Sequence, residues 1–254
     1  MNLTRSKKKD LLYVAVAAFF FLTACVLQTV DDYISDWSVK KTIALLTQYI
    51  FFGLLAYWTA SVISRISDKS ICSGIIVAIA LMGVILFVRL LKYHVFYDGT
   101  VMRYLWYSYY IPHCLAPAVL LITLLGMGRK DGKPLAKGWY LLFLPAAALI
   151  LLVFTNDLHE QVFSFAKGLK YSNEIYKWEW GYYLILAWIA SLYLTVGILL
   201  YIKCRISGCR KKAWIPLVLF IACIVLCILR EVFDPSFIRM PEAVVFSVVV
   251  VFES

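Results

Sequence analysis

The sequence predicts an all-α membrane protein, a polytopic transmembrane helix bundle, and three observations carry that prediction. Hydrophobic residues make up 63% of the 254-residue chain, where water-soluble domains stand near about 45–50%. They gather into long runs separated by short polar loops. Basic residues fall in alternate loops, the pattern that orients a membrane protein. The net charge of +10 is therefore read as topology. A nucleic-acid partner is excluded, because the lysines and arginines stand between apolar runs and not in a basic domain.

The apolar runs lie at roughly 11–30, 42–64, 71–92, 103–127, 139–158, 181–203, 213–231 and 240–254. A span needs about 20 apolar residues, since a helix rises about 1.5 Å per residue. The first run follows Arg5, Lys7, Lys8 and Lys9, and no small-residue cleavage site comes after it, so it reads as a retained anchor. The second and third are uninterrupted. The fourth carries Pro112 and Pro117, which loosen the backbone ladder around His113. The fifth contains Pro145 and ends in Thr155, Asn156, Asp157, Leu158 and His159. The sixth is uninterrupted. The seventh contains Pro216 and ends in Arg230 and Glu231. The eighth, MPEAVVFSVVVVFES, opens with Pro241 in a first turn and stops at the last residue. The expectation is seven complete spans plus a truncated eighth in one transmembrane domain over 1–254, with the chain continuing in a longer protein.

Loop charge sets the orientation. The N-terminus is basic, as are the loops after the second run (Arg65, Lys69), the fourth (Arg129, Lys130, Lys133, Lys137) and the sixth (Lys203, Arg205, Arg210, Lys211, Lys212). The intervening loops are richer in acid: Asp31, Asp32, Asp36, Asp98, Asp157, Glu160, Glu174, Glu179, Glu231, Asp234 and Glu242. The positive-inside rule then puts the N-terminus in the cytoplasm of a multi-pass plasma-membrane protein, and the eighth segment leads the C-terminus back there. The longest loop, about 159–180, is placed outside. Its aromatic content predicts that it packs over helix ends or in the headgroup region.

With that orientation, depth can be counted. Thr155 to His159 follow Trp139 by 16 to 20 residues, about 24–30 Å along the axis. Arg89 and Lys92 end the third run, Arg103 opens the fourth, Arg230 and Glu231 end the seventh, and Glu242 opens the eighth. These ionisable residues share one level at the outer mouth. Lys92, Glu160 and Glu179 read as charges that snorkel from helix ends to water. The candidates for a ligand or signal pocket are Arg103, Tyr107, Thr155, Asn156, Asp157 and His159, with Arg89, His113 and Glu231 as secondary candidates. A pairing of Asp157 with Arg103 would line a pocket or hold helices together. Thr155, Asn156 and His159 fall at helical spacing, a face that presents its groups inward or glues helices to each other. His113, about 15 Å below Arg103 by helical rise, is either a core histidine bonded to a tyrosine or carbonyl, or a proton sensor.

No catalytic constellation is present. HExxH, GxSxG and phosphate-loop patterns are absent, and the three histidines, His94, His113 and His159, stand apart. No metal or cofactor is called for. The seven cysteines form no metal or disulfide pattern and read as free thiols. The last two runs contain no Lys that could hold retinal, and the mid-membrane positions are too apolar for a channel. A small-solute transporter is the alternative reading, although transporters bind near the midplane between repeats.

The stretches RYLWYSYYIPHCLAP (103–117) and FTNDLHEQVF (154–163), within a multi-helix membrane domain, resemble the N-terminal seven-transmembrane sensor region of bacterial histidine kinases. The ending MPEAVVFSVVVVFES is similar to the last membrane helix of Firmicutes-type members. The resemblance implies a signal-input domain, usually dimeric, that passes a small-ligand or membrane stimulus to a cytoplasmic kinase or other output module. It also implies that Arg103, Trp106, Tyr107, Pro112, Pro117, Thr155, Asn156, Asp157 and His159 are the matching motif residues. The stretch up to Ser254 has no phosphoacceptor-histidine segment and no ATP-binding motif, so enzymatic activity is not assigned to it. The eight runs also exceed the family's seven.

Overall fold

The computed structural model describes residues 33–96, 98–127, 135–165 and 176–206, together with residues 16, 19–24, 26, 27 and 30 of the first predicted run, which are helical. The seventh and eighth predicted spans, with Cys223, Cys227, Arg230, Glu231 and Glu242, lie outside the described residues, as do Pro216 and most of the basic loops.

The described chain is an up-and-down helix bundle. Helix α1 spans Trp37–Arg65 and α2 spans Lys69–Leu90, the latter prolonged by one π turn, Leu91–Val95. Helices α3 (Gly99–Ser108) and α4 (Tyr110–Gly126) form one span with a break at Tyr109. A 3-10 turn, Lys137–Leu142, leads into α5, Phe143–Phe154. The four-residue α6, Asn156–His159, follows, then a two-stranded antiparallel hairpin, β1 (Phe163–Phe165) with β2 (Tyr176–Trp178). Helix α7 covers Trp180–Ile206. Among the described residues, five helices are long and apolar enough to cross a membrane: Trp37–Arg65, Lys69–Val95, Gly99–Gly126, Lys137–Phe154 and Trp180–Lys203. They coincide closely with the second to sixth predicted runs.

The starts of three helices have a common local cause. Asp36, Asp68 and Asp98 each turn a carboxylate oxygen to two backbone N–H groups of the first turn, at 2.8–3.2 Å. A side-chain acceptor there satisfies donors that the helix leaves open, and its negative charge complements the helix dipole. Asp36 and Asp98, counted from sequence only as topological charge, are therefore also caps. Asp98→Ala is expected to cost about 1 kcal/mol while Asp98→Asn costs far less; thermal unfolding of the two purified variants compares them directly.

The break at Tyr109 follows from Pro112, which has no N–H for the carbonyl of Ser108. Pro145 stands third in α5, just after the 3-10 turn, in a first turn where a missing N–H is tolerated.

The α3–α4 span lies at the centre and is the most enclosed. Helix α4 packs against α2, α5 and α7. The main core joins Ala78, Ile79, Met82, Ile85 and Leu86 of α2 to Ala116, Ala118, Leu120 and Leu121 of α4. Small residues allow this approach, which is how helices associate where lipid is as apolar as leucine. Gly74 of α2 meets Thr123 of α4 so closely that an added Cβ would lie 2.1 Å from the threonine hydroxyl. Buried Gln48 of α1 donates from Nε2 to the carbonyl of Leu86, at 2.5 Å. Large apolar side chains cover the outside, among them Leu46, Phe87, Leu144, Leu151, Leu194 and Ile198. A water-facing surface rarely carries so much contiguous apolar area, whereas a lipid-facing one requires it. The molecule is a helical membrane protein.

Alternation of the helices collects the end of α2 with its π turn, the start of α3, the end of α5, the hairpin and the start of α7 at one end. Arg65, Lys69, Lys137 and Lys203 stand toward the other.

Candidate functional site

A polar network occupies the Arg103 end of the bundle. The fifth predicted run extends as one helix to residue 158, but α5 stops at Phe154. The Thr155 hydroxyl donates to the carbonyl of Leu151, at 2.7 Å, a bond that Thr47, Thr59, Thr123 and Thr195 also make inside unbroken helices, so it does not by itself end α5. After the single turn of α6, Glu160 adopts the left-handed conformation, with φ 49°. Its N–H donates to the carbonyl of Asn156, at 2.7 Å, which closes the turn as a glycine usually would.

That turn separates the predicted face in two. Asn156 is fully buried, while Thr155 is exposed and His159 partly so. Gln161 N–H donates to His159 Nδ1, at 3.0 Å, so this nitrogen carries no proton. In the neutral ring Nε2–H then faces the Thr155 hydroxyl, 3.2 Å away. Thr155 and His159 thus satisfy each other and the adjoining backbone, and do not join Asn156 in one inward-facing set.

Asn156 holds the hairpin. Its Oδ1 accepts from the N–H groups of Val162 and Phe163, at 2.9 and 3.0 Å, and its Nδ2 donates to the carbonyl of Phe163, at 2.9 Å. Nδ2 also donates to the hydroxyl of Tyr107, at 3.2 Å. Tyr107, fully buried, donates in turn to Asp157 Oδ1, at 2.8 Å. Arg103 Nη2 meets Asp157 Oδ2 at 2.8 Å. The pairing that the sequence held open is therefore formed, and a relay of four side chains, Arg103–Asp157–Tyr107–Asn156, runs from α3 through α6 into the hairpin. The Arg103 and Asp157 side chains keep 25% and 21% of their surface exposed. The pair is reachable from solvent and adds little stability by itself.

Aromatic packing seats the same hairpin. Phe163, fully buried, lies 4.4 Å from the ring of Trp106 and is stacked with Tyr107 at 6.3 Å. Trp106 also reaches Tyr176 of β2, at 4.9 Å. The described parts of the long aromatic loop, 159–165 and 176–180, thus pack over helix ends, with the first strand pressed onto α3. Gly181, at the start of α7, donates to the carbonyl of Gln161 at 2.9 Å. An added Cβ there would lie 2.8 Å from that carbonyl oxygen, so the position admits only glycine without a shift.

The secondary candidates fall elsewhere. His113 Nδ1 lies 2.5 Å from the carbonyl of Tyr109. A carbonyl only accepts, so Nδ1 carries the proton and the ring bridges the helix break locally. Arg89 is buried at the end of α2. Lys92, read from sequence as snorkelling, is only 2% exposed. Lys92 follows Ile85 by seven residues and Arg89 by three, so it continues the buried face of α2, and the π turn packs against both α2 and α3. Glu231 lies outside the described residues.

Sequence reasoning did not foresee the hairpin, the stapling role of Asn156 or the buried amide of Gln48. For Asn156 a signal existed, since asparagine before a turn commonly bonds nearby backbone. Cys72 and Cys114 are free thiols, and the carbonyl of Cys114 accepts from the Trp188 indole of α7 at 3.3 Å. Among the described residues, no cluster of His, Cys, Asp or Glu is arranged to hold a metal ion. Comparisons of the chain with protein-family models, curated proteins and solved structures gave no match.

Proposed function

We propose that the chain is the membrane-embedded signal-input domain of a sensor histidine kinase-like protein. In this reading the bundle has seven complete spans and part of an eighth, with a cytoplasmic N-terminus. The Arg103 end opens to the extracytoplasmic side of the plasma membrane, where a small ligand or membrane stimulus acts. The response passes to a cytoplasmic kinase or other output module of a longer chain, in a homodimer. Residues 1–254 themselves perform no catalysis.

The observation that carries the reading is the partly exposed Arg103–Asp157 pair, coupled through Tyr107 and Asn156 to the hairpin. A stimulus that alters this pair acts on α6, which positions the hairpin, which in turn holds the start of α7. Helix α7 then runs the length of the bundle. At its far end the Lys203 ammonium donates to the carbonyl of Leu124, at 2.6 Å, and to that of Met127. These carbonyls stand at and just past the C-terminal end of α4, the helix that shares a span with Arg103. Site and far end are thus joined by two packed helices, α4 and α7. A stimulus biases such a unit only by its differential affinity for two arrangements.

In the complete gene product, Asp157→Asn and Arg103→Ala are expected to change signal output severalfold while membrane insertion stays intact. Normal insertion with unchanged output in both variants would overturn the reading. Solute flux in proteoliposomes made with the wild-type chain would favour a transporter instead.

A further inference from the structure

Arg103 and Tyr107 lie four residues apart on α3 and therefore share a face. Each gives one donor to the carboxylate of Asp157, Nη2 to Oδ2 and the hydroxyl to Oδ1, both at 2.8 Å. The Asn156 amide donates to the Tyr107 oxygen, which leaves the phenolic hydrogen for an anion. A guanidinium offers five N–H groups in a planar fork and binds oxyanions best through two of them. Here the Nε of Arg103 is buried and has no hydrogen-bond acceptor among the described residues. An unmade buried hydrogen bond is costly, so the carboxylate from the short α6 turn leaves the guanidinium incompletely satisfied. The pair is also partly open to solvent.

We propose that Arg103 and Tyr107 form an oxyanion cradle, that Asp157 is its resident occupant, and that the stimulus carries a carboxylate or phosphate group that takes the place of Asp157. This rests on the reading of the chain as an input domain. An incoming oxyanion uses Nε and Nη2 together and keeps the Tyr107 donor. Displaced Asp157 frees α6, and Asn156 on the same turn passes the change to the hairpin. The group comes either from a soluble anion or from the phosphate of a lipid headgroup.

The test uses the chain in nanodiscs of phosphate-free neutral glycolipid, with and without phosphatidylglycerol. Unfolding midpoints are read against acetate, inorganic phosphate and a sodium chloride control of equal ionic strength. Asp157→Ala empties the cradle. Its midpoint is expected to fall and then to recover, saturably, with acetate or phosphate, at concentrations at least tenfold below those that affect the wild type. Adding Arg103→Gln to that variant is expected to abolish the recovery. Recovery in glycolipid discs with soluble phosphate assigns the anion to solution, whereas recovery with phosphatidylglycerol alone assigns it to a headgroup. If Asp157→Ala does not fold by circular dichroism, Asp157→Asn carries the same comparison. A folded variant that responds to none of these probes, or a recovery that survives the loss of Arg103, overturns the cradle. Should Asp157→Asn still alter output in the complete gene product, the input-domain reading outlives that failure. Solute flux in proteoliposomes would remove the reading without touching the cradle.

Discussion

Asn156→Ala is expected to destabilise the protein by on the order of 3–5 kcal/mol, more than any exchange at the exposed ion pair. The side chain makes four hydrogen bonds, to Val162 N, Phe163 N, Phe163 O and Tyr107 Oη, and is fully buried. Removing it orphans two backbone donors and one backbone acceptor where water has poor access, at about 1–3 kcal/mol each before relaxation. The midpoint of thermal unfolding should fall, and proteolysis should cut earlier in the segment between the strands. Asn156→Asp separates the accepting role from the donating one: it keeps the acceptor for the Val162 and Phe163 N–H groups but loses both Nδ2 donations, to the Phe163 carbonyl and to Tyr107, and adds charge beside Asp157. Unchanged stability and protease resistance in Asn156→Ala would mean that Trp106, Tyr107 and Tyr176 hold Phe163 without the amide.

Gly74→Ala is expected to be the second large effect, a loss of about 1–3 kcal/mol from overpacking between α2 and α4. The new methyl would stand 2.1 Å from Thr123 Oγ1 and 2.9 Å from its Cγ2. That threonine has little room to yield, because its hydroxyl donates to the carbonyl of Val119 at 2.8 Å and its branched side chain has few rotamers. Thr123→Ala removes both clashing atoms, so the double variant should recover most of the loss. A double-mutant cycle reads the coupling directly, and additive effects of the two exchanges would refute the direct contact.

Much of the bundle was legible because a membrane imposes a simple rule. Every backbone polar group must be bonded internally, so an apolar run of sufficient length becomes a helix. The runs at 42–64, 71–92, 103–127, 139–158 and 181–203 accordingly match the five long helices. The same rule says nothing about where a helix gives way to polar sequence. Just past Thr155 the Asn156 side chain bonds the backbone of Val162 and Phe163, contacts that the length of an apolar run does not encode. For Lys92 a helix-end position predicts a charge that reaches water, whereas the residue continues the buried face of Ile85 and Arg89 and is enclosed.

The candidate site was legible as residue types at one depth, not as a geometry. Arg103, Tyr107, Asn156 and Asp157 were all named from sequence, and the structure brings these four together. Thr155 and His159 bond beside them, and His113 bonds within its own helix.

By itself the sequence determined that this is a membrane-embedded helical protein and that Arg103 and the Thr155–His159 stretch lie at the same end of the bundle. Both follow from one-dimensional quantities, the length of apolar runs and the count of residues per turn. Only the tertiary structure decided that Asp157 meets Arg103 and Tyr107 and that Asn156 leaves that face to hold a hairpin. Those contacts join residues about fifty positions apart, and hydrogen bonds depend on angles and distances that the packing of α3 against α5 sets.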